Sequence, residues 1–132
     1  MRVRVILDSN FLFVPFQFGV DIFEELLNVL NRRYVPVILS PTYHELLTLA
    51  RKGGPKLSRQ AQLAIQLAEK CQILEVERRP GETPDDVIVR VAGERRWPVA
   101  TNDRALRRRL RKLGVPVIFL RQGRRLELEG AV

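Results

Sequence analysis

The stretch VPVILSPTYHELLTLARKGG, residues 35–54, contains a complete strand and helix in sequence. Its apolar, β-branched start predicts a buried strand. Ser40 and Pro41 then predict the N-cap and the first position of a helix, which Gly53 and Gly54 end. A strand followed at once by a helix is the repeating unit of α/β proteins, so this stretch indicates the fold class.

The same unit recurs along the chain. Predicted strands cover residues 3–8, 35–39, 72–77, 97–101 and 115–121, and predicted helices cover residues 21–33, 41–52, 58–71, 84–95 and 103–113. We expect the inward-facing residues of two of these helices to be Leu63, Ala64, Leu67, Leu106, Leu110 and Leu113. Residues 123–130 alternate and predict a short edge strand. Strands separated by helices predict a parallel sheet covered on both faces, with residues 1–132 as one domain.

Positive charge is concentrated in the last third of the chain. The formal net charge is +8, yet residues 1–88 contain 11 basic and 11 acidic residues, whereas residues 89–132 contain 12 basic and 4 acidic residues. Of the 23 basic residues 19 are arginine, which binds phosphate through two donors at once. This imbalance favours a polyanionic partner such as nucleic acid, although heat-adapted proteins also carry highly charged surfaces.

Composition limits the compartment and the cofactor chemistry. The single cysteine, Cys71, cannot form an internal disulfide, and the first residues do not resemble a signal peptide, so we expect a cytoplasmic protein. No apolar run approaches the roughly 20 residues that span a bilayer, so we expect no membrane partner. One histidine, His44, and one cysteine argue against a zinc site.

Acidic residues follow the predicted strands or open the predicted helices. They are Asp8 after the first strand, Glu45 early in the helix after the second, Asp85 and Asp86 at the start of the helix before the fourth, and Asp103 after the fourth. Ligands of open parallel sheets collect at the carboxyl ends of the strands. We therefore expect these carboxylates to converge on one edge of the sheet.

Each acid also has a purely structural explanation. Helix dipoles favour negative charge at Asp85 and Asp86, and Thr83 with Asp86 resembles a capping box. The remaining explanations are a turn at Asp8, an N-cap at Asp103 and an exposed helix surface at Glu45. Taken together these explanations are weaker than they are singly, because clustered carboxylates repel one another unless a cation compensates them.

A hard divalent cation would compensate such a cluster, since Mg²⁺ and Mn²⁺ prefer oxygen ligands. One or two ions would support hydrolysis of a phosphodiester bond without a side-chain nucleophile. Ser9, Asn10 and Thr101 adjoin the acids and could orient the carboxylates or a water molecule. The helix after Asp103 has a strongly basic surface, on which we predict RNA-binding residues: Arg104, Arg107, Arg108, Arg111 and Lys112.

The sequence resembles the PIN-domain ribonucleases over nearly its whole length. The matching segments are LDSN, PTYHELL, TPDDVIVRVA and VATNDRALRRRLR, which place Asp8, Glu45, Asp85 and Asp103 in the order of the family's acidic quartet. The resemblance implies a three-layer α/β/α sandwich with strand order 3-2-1-4-5 and an endoribonuclease that depends on Mg²⁺ or Mn²⁺. It also implies that the quartet binds the metal and that Asp86, Asn10 and Thr101 are supporting residues of the metal site.

Within the family, residues 83–121 are most similar to the archaeal and eukaryotic branch that processes pre-ribosomal RNA. The toxin branch of toxin-antitoxin pairs has the same acids, and one departure from many toxins is the second acid, Asp86. The resemblance therefore implies RNA as the partner and leaves a second copy of the chain, a ribosome assembly factor and an antitoxin open as protein partners.

Two other readings remain open at this point. A phosphatase of the haloacid-dehalogenase type also begins with a strand that ends in aspartate, but it needs a second aspartate where this chain has Asn10. The other is an RNA-binding module without catalytic activity, whose acids only stabilise the fold.

Overall fold

A computed structural model describes residues 2–132, which fold into alternating strands and helices. The strands are β1 Val3–Leu7, β2 Tyr34–Leu39, β3 Gln72–Leu74, β4 Val99–Ala100, β5 Val117–Arg121 and β6 Arg125–Glu129. The helices are a 3₁₀ helix Ser9–Phe13 and α1 Val14–Phe18, α2 Ile22–Leu30, α3 Ser40–Lys52, α4 Pro55–Ala68, α5 Pro84–Arg95 and α6 Arg104–Lys112. Within residues 2–132, no helix is both long and apolar enough to cross a membrane.

The sheet has the order β3-β2-β1-β4-β5-β6. Pairing is parallel from β3 through β5, and β6 runs antiparallel to β5, which confirms both the predicted order and the predicted edge strand. The order reverses between β1 and β4, where Ile6 pairs with Val99 and Leu7 with Ala100. The residues that follow these two strands therefore lie side by side at the position where open parallel sheets bind ligands.

Each face of the sheet has its own apolar core. Because successive strand residues point to opposite faces, Val5 and Leu7 pack with α2, α3 and α4, whereas Ile6 packs with α5 and α6. The sheet is thus the middle layer of a three-layer α/β/α sandwich, as predicted. Its carboxyl edge is left between the two helical layers.

Two predicted core leucines are exposed. In α4, Leu63 is 36% exposed, and the buried stripe is formed by Ala61, Ala64 and Ala68. These alanines are spaced by three and four residues, so they form one helix face on which α3 and α4 pack closely. Leu113 is 47% exposed because it follows the last helical residue of α6. The predictions for both leucines were wrong.

Ser40 differs from its predicted role. It is the first residue of α3 rather than the N-cap, and no side chain caps this helix. Its hydroxyl instead accepts a hydrogen bond from Val76 N (2.9 Å) and donates one to Val76 O (3.2 Å). These bonds hold the chain after β3 against α3. β3 ends at Leu74, which pairs with the last residue of β2, instead of continuing to residue 77 as predicted.

We predict that Ser40→Ala lowers the free energy of unfolding by about 1–3 kcal/mol, because both polar groups of Val76 lose their partner. Thr48→Ala is the matched control, since that hydroxyl bonds only to His44 O within its own helix and is exposed. Urea unfolding of both variants measures the difference. Equal stability of the two variants would show that the Ser40 bonds contribute nothing.

Candidate active site

Asp8 is a buried carboxylate at the centre of the carboxyl edge. It follows β1, is only 4% exposed and occupies the N-cap of the 3₁₀ helix. Its Oδ1 accepts a hydrogen bond from Ser9 N (2.8 Å) and its Oδ2 one from the Thr101 hydroxyl (2.7 Å). Burial raises the pKa of Asp8 to about 6, although the bond from Thr101 opposes the shift.

Thr101 connects the two central acids. It follows β4, is fully buried, and its oxygen accepts a hydrogen bond from Asp103 N (3.1 Å) while the hydroxyl donates to Asp8. Asp103 in turn caps α6, with Oδ1 accepting from Leu106 N (3.1 Å). One threonine hydroxyl therefore fixes Asp8 relative to the start of the basic helix.

Glu45 and Asp85 approach this pair from the two helical layers. Glu45 lies in the second turn of α3 and Asp85 in the first turn of α5. The charges of Asp85 and Glu45 add to the rise in the pKa of Asp8. Burial raises the pKa of Asp85 as well, and the charges of Asp103 and Glu45 increase that shift. The four acids of the predicted quartet thus interact electrostatically at one edge of the sheet.

Asp85 and the adjacent Asp86 have different surroundings. Asp86 completes a capping box with Thr83, accepting from Thr83 N (2.9 Å), and its other oxygen pairs with Arg109 (2.9 Å). The backbone bond from Thr83, together with Arg109, lowers the pKa of Asp86, whereas burial raises that of Asp85. Because Asp86 closes the capping box and its charge is already paired with Arg109, its position favours the capping role over a supporting ligand role.

Asn10 and Asn102 fasten the loops around the acids. The Asn10 side chain accepts a long hydrogen bond from Asn102 N (3.5 Å), and the Asn102 side chain accepts one from Leu120 N (2.8 Å). Asn102 thereby joins the segment after β4 to β5. The sequence alone did not indicate this role, because the partner of Asn102 is 18 residues away in the chain.

The donor set at this edge fits a hard divalent cation better than zinc. Four carboxylates supply oxygen ligands, whereas burial raises the pKa of the Cys71 thiol to about 12 and His44 is exposed. Thr42, buried one turn before Glu45, has a hydroxyl without a hydrogen-bond partner in residues 2–132. In residues 2–132, however, no three aspartate, glutamate, histidine or cysteine side chains lie in positions that could hold a metal ion together.

A basic groove begins where α6 leaves the acidic edge. It has a volume of about 460 Å³ and lies between α6, β5 and β6. Of the predicted RNA-binding residues, Arg104, Arg107, Arg108 and Arg111 line it, whereas Lys112 does not. Arg121 and Gln122 add polar groups that sequence reasoning missed, because nothing in the local pattern places the end of β5 beside α6.

Two arginines of the groove are held in place. The Arg107 guanidinium lies 3.7 Å from the centroid of the Phe119 ring, and Glu129 of β6 pairs with Arg111 at 3.2 Å and with Arg107 at 3.7 Å. Stacking and pairing reduce the freedom of long side chains, so less conformational entropy is lost when a phosphate binds. Neither Phe119 nor Glu129 was a predicted site residue.

The three-layer fold with an acidic carboxyl edge is what the resemblance to PIN-domain proteins predicted. A family model described as a PIN like domain matches residues 5–123 of the chain. The chain therefore belongs to the PIN-like domain family, and the resemblance predicted from the sequence is confirmed.

Individual relatives come from both predicted branches. The chain is 30% identical to ribonuclease VapC4 of Methanocaldococcus jannaschii, over 98% of both chains. It is also 30% identical to the rRNA-processing protein fcf1 of Schizosaccharomyces pombe, but spans only 57% of that protein. The solved structure of the PIN domain endonuclease Utp24 superposes with a TM-score of 0.81 at 29% identity, over 98% of this chain and 92% of that one.

The buried charge of Asp8 predicts a pH-dependent loss of stability. Its pKa rises from 3.8 to about 6 on folding, so between these values the folded chain binds more protons and stability falls as pH rises. The full shift corresponds to about 3 kcal/mol. In EDTA we therefore expect Asp8→Asn to be more stable than the wild type at pH 7, with the difference vanishing near pH 4.

Thermal unfolding of both proteins across this pH range measures that difference. Asp21→Asn is the control, because Asp21 is another N-cap aspartate but its charge acts on Tyr34 at the opposite end of the sheet. A difference between Asp8→Asn and wild type that does not change with pH would contradict the raised pKa.

The opposite pKa shifts of Asp85 and Asp86 predict opposite effects on stability. We expect Asp86→Ala to lower the melting temperature at pH 7, because it removes the capping box and the pair with Arg109. Asp85→Ala should leave the melting temperature unchanged or raise it, because it removes a disfavoured charge. Calorimetry in EDTA compares the two variants, and equal destabilisation would show that both acids serve the helix end.

Proposed function

We propose that the chain is a divalent-metal-dependent endoribonuclease that hydrolyses phosphodiester bonds of RNA. The observation that supports this most directly is the hydrogen-bonded link from Asp8 through Thr101 to Asp103. It joins a buried acid to the N-cap residue of a basic helix, so an acidic centre and a phosphate-binding groove adjoin each other. A module that only bound RNA would have no need of the buried carboxylate, whose charge is disfavoured there.

The acidic quartet would hold one or two Mg²⁺ or Mn²⁺ ions. When bound, such ions activate water for in-line attack on phosphorus and stabilise the leaving oxygen. The ligand residues are Asp8, Glu45, Asp85 and Asp103. Neutralising their mutual repulsion would favour the charged forms of Asp8 and Asp85, whose pKa values are raised without a cation.

The chain's own residues orient the acids and bind the substrate. The Thr101 hydroxyl and the Ser9 backbone hold Asp8 in one orientation. The N-cap bond from Leu106 N uses Oδ1 of Asp103, so Oδ2 would be available to a cation. The arginines of the basic groove bind phosphates next to this edge. Preorganised ligands of this kind keep the reacting phosphate at a fixed distance from the acids.

The RNA that we propose as substrate is a ribosomal precursor. The similarity to fcf1 of Schizosaccharomyces pombe and to Utp24 supports this choice, with ribosome assembly factors as the expected partners. A toxin-type ribonuclease with an antitoxin partner is the second candidate, because the match to VapC4 covers 98% of both proteins. A homodimer is compatible with either, and the single cysteine, Cys71, supports a cytoplasmic location as part of this proposal.

Cleavage of labelled RNA in Mn²⁺ tests the proposed site. We expect Asp8→Asn and Asp103→Asn to reduce the rate at least about 100-fold, since metal stabilisation of the transition state is worth several kcal/mol. Thr101→Val, which keeps the shape but removes both hydrogen bonds, should reduce it about 10-fold to 100-fold.

The control for these variants is Asp21→Asn, which should cleave like the wild type. Comparing a ribosomal precursor transcript with an unrelated RNA of equal length separates the two candidate functions. Equal cleavage by wild type and Asp8→Asn would refute the proposed site.

A further inference from the structure

A second cavity lies at the opposite end of the sheet from the acids. It has a volume of about 340 Å³, within the usual size range of small-ligand sites, and it opens beside the amino ends of β1, β4 and β5. Its lining residues include four arginines and one tryptophan: Arg2, Arg4, Arg32, Arg96 and Trp97. Nothing in the proposed cleavage site uses these residues.

The charge of this cavity is one-sided. No aspartate or glutamate is among the residues of the described chain that line it. Arg2, Arg4 and Arg96 therefore bring positive charge to the cavity with no acidic side chain among its described lining residues, which gives it the electrostatics of an anion site.

Trp97 adds a flat, partly buried surface to this positive charge. The Arg95 guanidinium lies 4.9 Å from the centroid of its ring and that of Arg4 lies 5.8 Å from it. Arg96 is fixed separately, because it donates to Leu113 O (2.8 Å) and Gly114 O (3.3 Å) at the end of α6. Ordered guanidinium planes on an aromatic ring are surfaces on which nucleobases stack.

We propose that this cavity binds a nucleotide of single-stranded RNA, the base stacking on the Arg4 and Trp97 surface and the phosphate contacting Arg2 and Arg4. The ligand's identity as RNA rests on the proposed function, whereas the site itself does not. An acidic peptide would satisfy the charges but would leave the stacking surface unused, which favours the nucleotide.

The cavity would be a second binding site for the RNA, in addition to the basic groove. The length of β1 separates the cavity from Asp8, and its 5 residues correspond to about 17 Å. An RNA strand that reaches around the domain from the basic groove would contact both ends of the sheet. RNA too short to reach the cavity should therefore bind more weakly than longer RNA of the same composition.

Intrinsic fluorescence provides a site-specific test, because Trp97 is the only tryptophan in the chain. In EDTA, which prevents metal-dependent cleavage, a single-stranded oligoribonucleotide should quench this fluorescence with the Kd found by anisotropy. We expect the double variant Arg2→Gln and Arg4→Gln to lose the quenching and to raise the Kd. If both arginines contact phosphates, the slope of log Kd against log salt should fall by about 1.4.

Two control variants localise the effect. The pair Arg104→Gln and Arg108→Gln removes two charges from the basic groove, so it should weaken binding while quenching at saturation persists. The pair Arg51→Gln and Arg59→Gln removes two exposed charges outside both cavities and should change little. Arg2 and Arg4 are both exposed, so we expect the variant that lacks them to remain folded, and a thermal melt checks this.

The outcomes separate this proposal from that of the cleavage site. RNA that saturates anisotropy without altering Trp97 fluorescence would overturn the proposed cavity, whether or not the protein cleaves RNA. Quenching by a free nucleoside monophosphate but not by RNA would assign the cavity to a small nucleotide and would overturn RNA as its ligand. Quenching by RNA in a protein that fails to cleave would support the cavity and count against the endonuclease alone.

Discussion

The burial of one carboxylate, Asp8, between the two central strands constrains the rest of the structure. A charged group with 4% exposure needs hydrogen bonds, and it receives them from Ser9 and from Thr101. The bond to Thr101 requires β1 and β4 to be neighbours in the observed register. That register sets the strand order, and the strand order determines which helices meet at the carboxyl edge.

Helices α5 and α6 meet at this edge, and both affect its charge. The amino termini of α5 and α6 both lie at the acidic edge, where their dipoles partly offset the negative charge. Asp86 and Asp103 are caps as well as members of the acidic edge, so the structural and chemical explanations of these acids coexist. Arg109, in the last turn of α6, pairs with Asp86 in the first turn of α5 and thereby joins the two helices.

Sequence patterns predicted what depends on local order and missed what depends on distant pairing. Apolar runs and helix-capping residues were sufficient to predict the strands and helices, and the family resemblance predicted the strand order of the sheet. Leu63 was misplaced because helical periodicity does not reveal that a neighbouring helix packs against alanines. Ser40 was misplaced because its partner, Val76, lies 36 residues away. The residues at the far wall of the groove, such as Phe119, likewise become visible only when β5 is placed beside α6.

The acids and the groove arginines lie in different places, and this separation explains how a site rich in carboxylates could cleave a polyanion. Four carboxylates at the carboxyl edge repel a phosphate, so binding energy must come from arginines that lie outside the acidic centre. The basic groove supplies such residues beside the acids, and its arginines are already ordered by Phe119 and Glu129. Attraction that is strong along the groove and weak at the centre would position RNA without neutralising the acids. The acids would then remain available to cations, whose charge would reverse the local repulsion only where the bond is to be broken.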